Sequence, residues 1–227
     1  GGPYILKTIN AGASWTLFSC PNVGLNSVYF PDPNIGYAVG GSGFILKTIN
    51  GGAGWSAISN YIYGDLNSVY FTDVNTGFAV GCNSGFAGII LKTIDGGITW
   101  TESTIGTSSV SLNSVCFPDD SIGYIVGYQG WSGIILKTIN GGTTWSVLSS
   151  GEYPRLNSVH FTDANTGYVV GGSGPPDDNL GPGIIINTTD GGISWTELSF
   201  GSSNTLRSVC FPDASTGYAV GYNGTIL

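Results

Sequence analysis

The chain has no Met, one His, two Arg and three Glu, and only 9% of its 227 residues are charged. A typical soluble domain carries about 25% charged residues, so this surface is kept wet by Ser, Thr, Asn and Gly. Six Lys and Arg stand against fourteen Asp and Glu, a formal charge of -8. That balance argues against a nucleic-acid binder, which needs clustered cations, and against a polybasic membrane contact. No apolar stretch approaches the ~20 residues of a membrane helix, so no membrane insertion is expected. No cationic segment followed by an apolar one opens these residues, so no signal peptide is read in them. The absent initiator Met is expected of a processed or excised chain. What is abundant is Gly, 38 residues, and aromatic side chains, 12%.

These residues form one repeated unit. Half of it reads Leu25-Asn26-Ser27-Val28-Tyr29-Phe30, then Asp32, Asn34 and Gly36-Tyr37-Ala38-Val39-Gly40, and recurs from Leu66, Leu112, Leu156 and Leu206. The other half reads Ile45-Leu46-Lys47-Thr48-Ile49-Asn50-Gly51-Gly52 and closes on Trp55, with counterparts at Trp15, Trp100, Trp145 and Trp195, spaced 40–50 residues apart. That period belongs to propellers and solenoids. Each unit holds four short runs of strand formers, separated by Pro-Asp, Gly and Asn-Gly-Gly turn signals. No run has a helical apolar period. Four short antiparallel strands per unit, A to D, describe a propeller blade. The expected fold is all-β: a five-bladed β-propeller of four-stranded antiparallel blades, one domain over 1–227, with blades at 25–60, 66–105, 112–150, 156–200, and 206–227 joined to 1–19. The amino-terminal strands C and D would complete the last blade and remove two sheet edges. Ile226-Leu227 holds the same place in the unit as Ile5-Leu6, so one strand is in surplus. Either the chain is cut from a longer array, the end being simple truncation, fraying or extension, or the surplus strand links to a neighbouring copy.

The turn motif Thr93-Ile94-Asp95-Gly96-Gly97-Ile98-Thr99-Trp100 recurs around Asp190, and with Asn10, Asn50 and Asn140 in place of Asp. It resembles the Asp-box (BNR) repeat of sialidase-like propellers. With its Gly-Tyr-Ala-Val-Gly and Leu-Lys-Thr segments, the whole unit is most similar to the repeats of the photosystem II assembly and stability factor family and of related secreted bacterial proteins. The resemblance spans the chain and implies a propeller, without dictating a function. The box Asp or Asn is expected to accept backbone N–H bonds in the C–D turn, with Trp15, Trp55, Trp100, Trp145 and Trp195 packed on their blades. Asp32-x-Asn34 and its counterparts at Asp73, Asp119, Asp163 and Asp213 read as Asx-turned hairpins, lacking the further carboxylates of a calcium loop. No metal and no cofactor is expected.

A sialidase, as the resemblance implies, would bring three Arg and a Tyr/Glu nucleophile pair. Arg155 and Arg207 are the only Arg, and Glu102, Glu152 and Glu197 all fall in or just after strand D. Nothing places a facing carboxylate pair, and there is no nucleophile elbow. His160 takes a strand A position filled elsewhere by Tyr29, Tyr70, Cys116 and Cys210, a packing place. The chain is therefore expected not to be an enzyme. Lys7, Lys47, Lys92 and Lys137 recur once per blade on strand C and read as a ring of single charges.

Loop length within the repeat carries the functional signal. The A–B and C–D turns hardly vary. The B–C loops (41–43, 82–88, 128–133, 172–183 and 222–224) and the D–A connections do, and both emerge on one face of an up-down blade. Candidate ligand contacts there are Trp131, Tyr128, Gln129, Asn83 and Asp177-Asp178-Asn179, beside Tyr61, Tyr63 and Tyr153. Aromatic planes beside amides and carboxylates suit sugars or extended polymers. Asn187-Thr188-Thr189 and Asn223-Gly224-Thr225 are formal glycosylation sequons. Cys116 and Cys210 are expected to be small buried residues rather than a disulfide, while Cys20 and Cys82 lie near strand ends. Low charge and a Ser/Thr/Asn-rich surface point to an extracellular or cell-surface setting. The expected function is a non-enzymatic recognition and scaffold propeller that binds glycan or protein through its variable face. The alternative is a structural subunit of an extracellular filament linked by terminal strand exchange, with copies of itself as partners. A photosystem-type assembly factor is the third reading.

Overall fold

The structure is a computed structural model. It describes residues 4–19, 24–59, 64–106, 109–173, 181–199 and 204–227, which are all-β, with no α-helix among them. The chain divides into two units, residues 1–105 and 106–227. The first unit opens with a hairpin of β1 (Tyr4–Lys7) and β2 (Thr16–Ser19). A four-stranded blade follows, made of β3 (Leu25–Tyr29), β4 (Gly36–Gly40), β5 (Ile45–Thr48) and β6 (Ser56–Ser59). The next blade holds β7 (Gly64–Phe71), β8 (Gly77–Asn83), β9 (Gly88–Thr93) and β10 (Thr101–Ile105). The second unit contains one seven-stranded sheet: β11 (Val110–Cys116), β12 (Gly123–Gln129), β13 (Ser132–Thr138), β14 (Ser146–Phe161), β15 (Gly167–Gly172), β16 (Gly183–Thr188) and β17 (Thr196–Leu198). It ends in a hairpin of β18 (Leu206–Cys210) and β19 (Tyr218–Gly221). Every pairing is antiparallel and sequential, as short Gly-rich turns dictate.

Two details differ from the expected strand plan. The D–A connection expected between 150 and 156 is not a loop, because β14 runs on through it for 16 residues. Its first half pairs with β13 and its second half with β15, so it serves as strand D of one blade and strand A of the next. The stretch Gly151-Glu152-Tyr153-Pro154 contains no Asn-Gly or Asp-Gly step to reverse the chain, and the strand runs on through it with an irregularity, where Gly151 takes φ 90° and the register against β13 shifts. At the carboxyl end, Val220 bridges Ile226, and Leu227 exchanges backbone bonds of 2.9 and 3.1 Å with Ala219. Ile226 and Leu227 thus lie beside β19, and β1 pairs with β2.

The core lies between successive blades. In the first unit Tyr37, Val39, Ile45, Leu66, Val69, Phe71, Ala79, Ile89 and Leu91 form one buried cluster. In the second, Tyr124, Val126, Leu156, Val159, Phe161 and Val169 do the same. The Gly that opens each strand B is needed because the Phe ending strand A lies across it. A Cβ on Gly77 would come 2.4 Å from the Phe71 ring. That Phe stacks on the strand B Tyr of the preceding blade: Tyr37 on Phe71 and Tyr124 on Phe161 at 3.8 Å, Tyr168 on Phe211 at 4.1 Å.

Every strand A carries a β-bulge at the same place, between Leu25 and Ser27, Leu66 and Ser68, Leu112 and Ser114, Leu156 and Ser158, and Leu206 and Ser208. The extra residue is Asn in four copies and Arg207 in the fifth. A bulge re-aims its side chain, here toward the next blade. Asn26 Nδ2 donates to Leu66 O at 2.9 Å, Asn113 Nδ2 to Leu156 O at 2.8 Å and Asn157 Nδ2 to Leu206 O at 2.7 Å. The adjacent Ser hydroxyls accept from the next strand A: Ser27 from Val69 N, Ser114 from Val159 N and Ser158 from Val209 N.

Candidate functional site

The C–D turns are built alike. A buried Thr at the end of strand C (Thr48, Thr93, Thr138 or Thr188) accepts from a Gly N–H four residues on and donates to the box Asp or Asn. The box side chain then accepts a backbone N–H four residues ahead: Ser14 to Asn10, Gly54 to Asn50, Thr99 to Asp95, Thr144 to Asn140 and Ser194 to Asp190, at 2.9–3.0 Å. Asn and Asp interchange because the neighbouring hydroxyl rotates. Ser14 and Thr144 accept from the Asn amide, whereas Thr99 and Ser194 donate to the second Asp oxygen at 2.6 Å. The Thr99 hydroxyl and N–H hold the Asp95 carboxyl down to about 2, and the Ser194 hydroxyl and N–H do the same for Asp190. Trp55, Trp100, Trp145 and Trp195 meet Phe30, Phe71, Phe117 and Phe161 at 84–89°. Trp15 is exposed.

The box carbonyl is also where the Lys series ends. Tyr37 Oη and Lys47 Nζ both donate to Gly96 O, at 2.9 and 2.7 Å. Tyr124 Oη and Lys137 Nζ converge on Gly191 O at 2.7 and 2.6 Å. Lys7 reaches Gly51 O at 2.6 Å. These Lys are therefore clasps from one blade to the next rather than free charges. Burial, then the Asp95 carboxylate, pushes the Tyr37 hydroxyl up to about 12, so it stays a donor.

The diversified loops carry a different chemistry. The β12–β13 connection is a two-residue turn, Gly130-Trp131, shorter than the expected 128–133 loop because Tyr128, Gln129, Ser132 and Gly133 belong to the ladder. Gly130 sits at φ 61°, and the turn thrusts Trp131 into solvent at 64% exposure. Beside it, on β14, Arg155 donates twice to Gly130 O through Nε and Nη2, at 3.1 and 2.9 Å. Its guanidinium lies 4.2 Å from the Tyr128 ring centre and 4.7 Å from that of Trp131. Tyr128, Trp131 and Arg155 thus make one cluster, while Gln129, the next residue of β12, is exposed. Sequence reasoning missed Arg155, which sits between Pro154 and Leu156 with nothing local to mark it. The β14 continuity is what brings it under the turn. Arg207 repeats the theme in the next blade, stacked 4.3 Å over Tyr222.

The other expected contacts are dispersed. Asn83, in the first unit, spends its side-chain oxygen on Gly85 and Ala87 N–H, both 3.0 Å away, so it locks its own turn. Asp177, Asp178, Asn179, Tyr61, Tyr63 and Cys20 lie outside the described residues. Asn187 lies half-buried within β16, paired on both sides, whereas Asn223 is exposed at φ 54° in a turn and donates to Asn204. His160 stacks on Phe211 at 5.8 Å. Cys116 is buried, and that burial pushes its thiol up to about 11. Cys210 is exposed, against expectation. The five A–B turns are Asx-locked, each Asp accepting the N–H two residues on.

A family profile, photosynthesis system II assembly factor YCF48, matches residues 60–154 and 104–206. Among curated protein sequences none matches the chain. Among solved structures, YCF48 from Cyanidioschyzon merolae is similar over 99% of this chain and 76% of its own, at 20% identity and a TM-score of 0.67. A structure of YCF48 bound to D1 peptide is similar over 98% and 84%, at 18% identity and a TM-score of 0.51. The GH74 xyloglucanase of Xanthomonas campestris shares 12% identity over 100% of this chain and 40% of its own, at a TM-score of 0.77. Identities this low show the fold: blades of a BNR-type propeller. The family match overturns the extracellular or cell-surface expectation, which rested on composition and on the reading of a processed amino terminus. The description attached to these repeats is that of a photosystem assembly factor.

Proposed function

Because the chain belongs to the family of the photosynthesis system II assembly factor YCF48, we propose that it is a non-enzymatic assembly propeller that docks a peptide segment of a partner protein on the Tyr128–Trp131–Arg155 cluster. The observation that carries this is the pinned guanidinium. Two Arg155 N–H groups are committed to Gly130 O, out of the five a guanidinium offers. The remainder are held in a fixed direction beside an exposed indole. Aromatic planes next to Arg are the anchors typical of protein interfaces. An extended peptide with an apolar side chain for Trp131 and a carboxylate or carbonyl for Arg155 fits this pairing. The related structure with D1 peptide makes such a peptide the probe to use.

Titrating D1 peptide against the chain while following Trp fluorescence and heat should give saturable binding. Trp131→Ala and Arg155→Ala should each weaken it by about tenfold or more, equivalent to ~1.4 kcal/mol. Arg155→Lys should weaken it as well, since an ammonium makes neither the two-pronged bond nor the stack. Binding that is absent, or unchanged in both Ala variants, removes this reading.

A further inference from the structure

Two of the C–D turns put Asn directly before Gly, at Asn50-Gly51 and Asn140-Gly141. Such a step is prone to lose its side-chain amide, because Gly, with no Cβ, leaves its backbone nitrogen free to reach the preceding Cγ. Asn140 is exposed, so water reaches it. In the folded chain, however, the attacking nitrogen is occupied. Gly141 N–H donates to Ser121 O, in the A–B turn of the same blade, at 2.9 Å. That turn lies close enough that a Cβ on Gly141 would come 3.1 Å from Asp120 O. It is itself fixed by Asp119 Oδ1, which accepts from Ser121 N at 2.8 Å and from Ile122 N at 2.7 Å.

The amide is tied down as well. Asn140 Oδ1 accepts from Thr144 N at 3.0 Å and from Thr138 Oγ1 at 2.9 Å, and Nδ2 donates to Thr144 Oγ1 at 2.9 Å. With an Asp at position 140, the box from Thr138 to Trp145 would match Thr93 to Trp100 everywhere except at Thr143. In that second box Thr99 Oγ1 donates to Asp95 Oδ2 at 2.6 Å, a bond that Thr144 could make by rotating its hydroxyl. The Asn50 box is guarded in the same way, by Gly51 N–H on Asn34 O and Asp32 Oδ1 on Asn34 N, both 2.8 Å. Its residue 54 is Gly, so it has no hydroxyl there to meet a new carboxylate.

We propose that Asn140 is a latent deamidation site, closed while Gly141 N–H holds Ser121 O and opened when the 119–122 turn loosens. On opening, Gly141 N attacks Asn140 Cγ. The N–Cγ bond forms, the Cγ–Nδ2 bond breaks, and the amide leaves as ammonia with the proton from Gly141 N. Water then opens the cyclic imide. Attack at Cγ breaks its bond to Gly141 N and gives Asp in the ordinary backbone. Attack at the Asn140 carbonyl carbon gives isoaspartate, whose backbone is longer by a methylene. Only the first product refits the box, because the second moves residue 144 out of reach of the side-chain acceptor.

Peptide mapping by mass spectrometry after incubation at mildly alkaline pH tests this. Asn140 should convert in guanidinium chloride, and at least about tenfold more slowly in the folded chain, where the turn must first open. Asp119→Ala, which unlocks the A–B turn, should speed conversion of Asn140 in the folded chain by about threefold or more, the measure of one lost hydrogen bond, and leave Asn50 at its own rate. Asp32→Ala should do the reverse. Asn140→Asp should melt close to the unmodified chain, and Asn50→Asp lower. Equal rates in the folded and unfolded chains, no conversion in either, or faster conversion of both sites in either Ala variant overturns the guarded site. An Asn140→Asp chain that melts as low as Asn50→Asp overturns the refit of its product.

Discussion

Asp95 and Asp190 differ from Asn10, Asn50 and Asn140 by a charge that the turn uses only at its margin. Both Asp carboxyls are held near 2 by hydroxyl and backbone donors, below the ordinary 3.8 of the unfolded chain. A folded pKa that is depressed contributes stability above the unfolded value, and that contribution is lost as pH falls through the folded one. The melting temperature should therefore fall between about pH 4 and pH 2 through these two turns. In Asp95→Asn/Asp190→Asn that fall should be shallower, while the melting temperature at pH 7 stays close to that of the unmodified chain. Thermal unfolding followed across that range checks it, and an unchanged slope would dismiss the two carboxylates as the cause. The interchange of Asp and Asn was legible in the sequence because five copies could be compared. The rotation of the Ser or Thr hydroxyl that permits it was not, since the same letter serves as donor in one copy and acceptor in another.

At the level of the strand, the bulge explains why Leu-Asn-Ser recurs. The pattern was visible as a strand signal, but its Asn breaks the simple alternation of faces, and only the ladder shows it as an extra residue. Asn157→Ala should leave Leu206 O without its side-chain donor and cost about 1–3 kcal/mol. Asn157→Asp should cost more, because it sets an oxygen against the carbonyl. Urea unfolding compares the two, and near-neutral values for both would show that the bulge rather than the amide joins the blades. Strand boundaries and turn chemistry were readable from Gly, Asn and Pro punctuation. The span from Ser146 to Phe161 was not, because the repeat placed a D–A connection between 150 and 156 where the strand in fact continues. The candidate site suffered from the same error: Tyr128 and Trp131 were found as aromatic residues in a varied loop, whereas Arg155 entered only through that long strand.

For the molecule as a whole, repetition made the fold class plain, while the partner and the setting were not encoded in composition. Low charge was read as a sign of an external surface, yet the repeats belong to an assembly-factor family. Energy in repeat folds is roughly a sum of unit and nearest-neighbour contributions, so protection should follow neighbours. Amides of β4, whose blade packs on the next, should exchange more slowly than those of β1 by more than about tenfold. Hydrogen exchange resolved by mass spectrometry reads this directly, and equal rates in the two strands would refute a nearest-neighbour molecule.

The convergence of Tyr37 and Lys47 on Gly96 O has a consequence for ancestry. The Tyr37–Lys47 and Tyr124–Lys137 junctions each draw their donors from one repeat and their acceptor from the repeat that follows, so gene duplication of such a pair of repeats carries a complete junction with it. Lineages could lengthen or shorten such a protein by whole modules without any compensating substitution, leaving the tips of its hairpins as the part free to diverge.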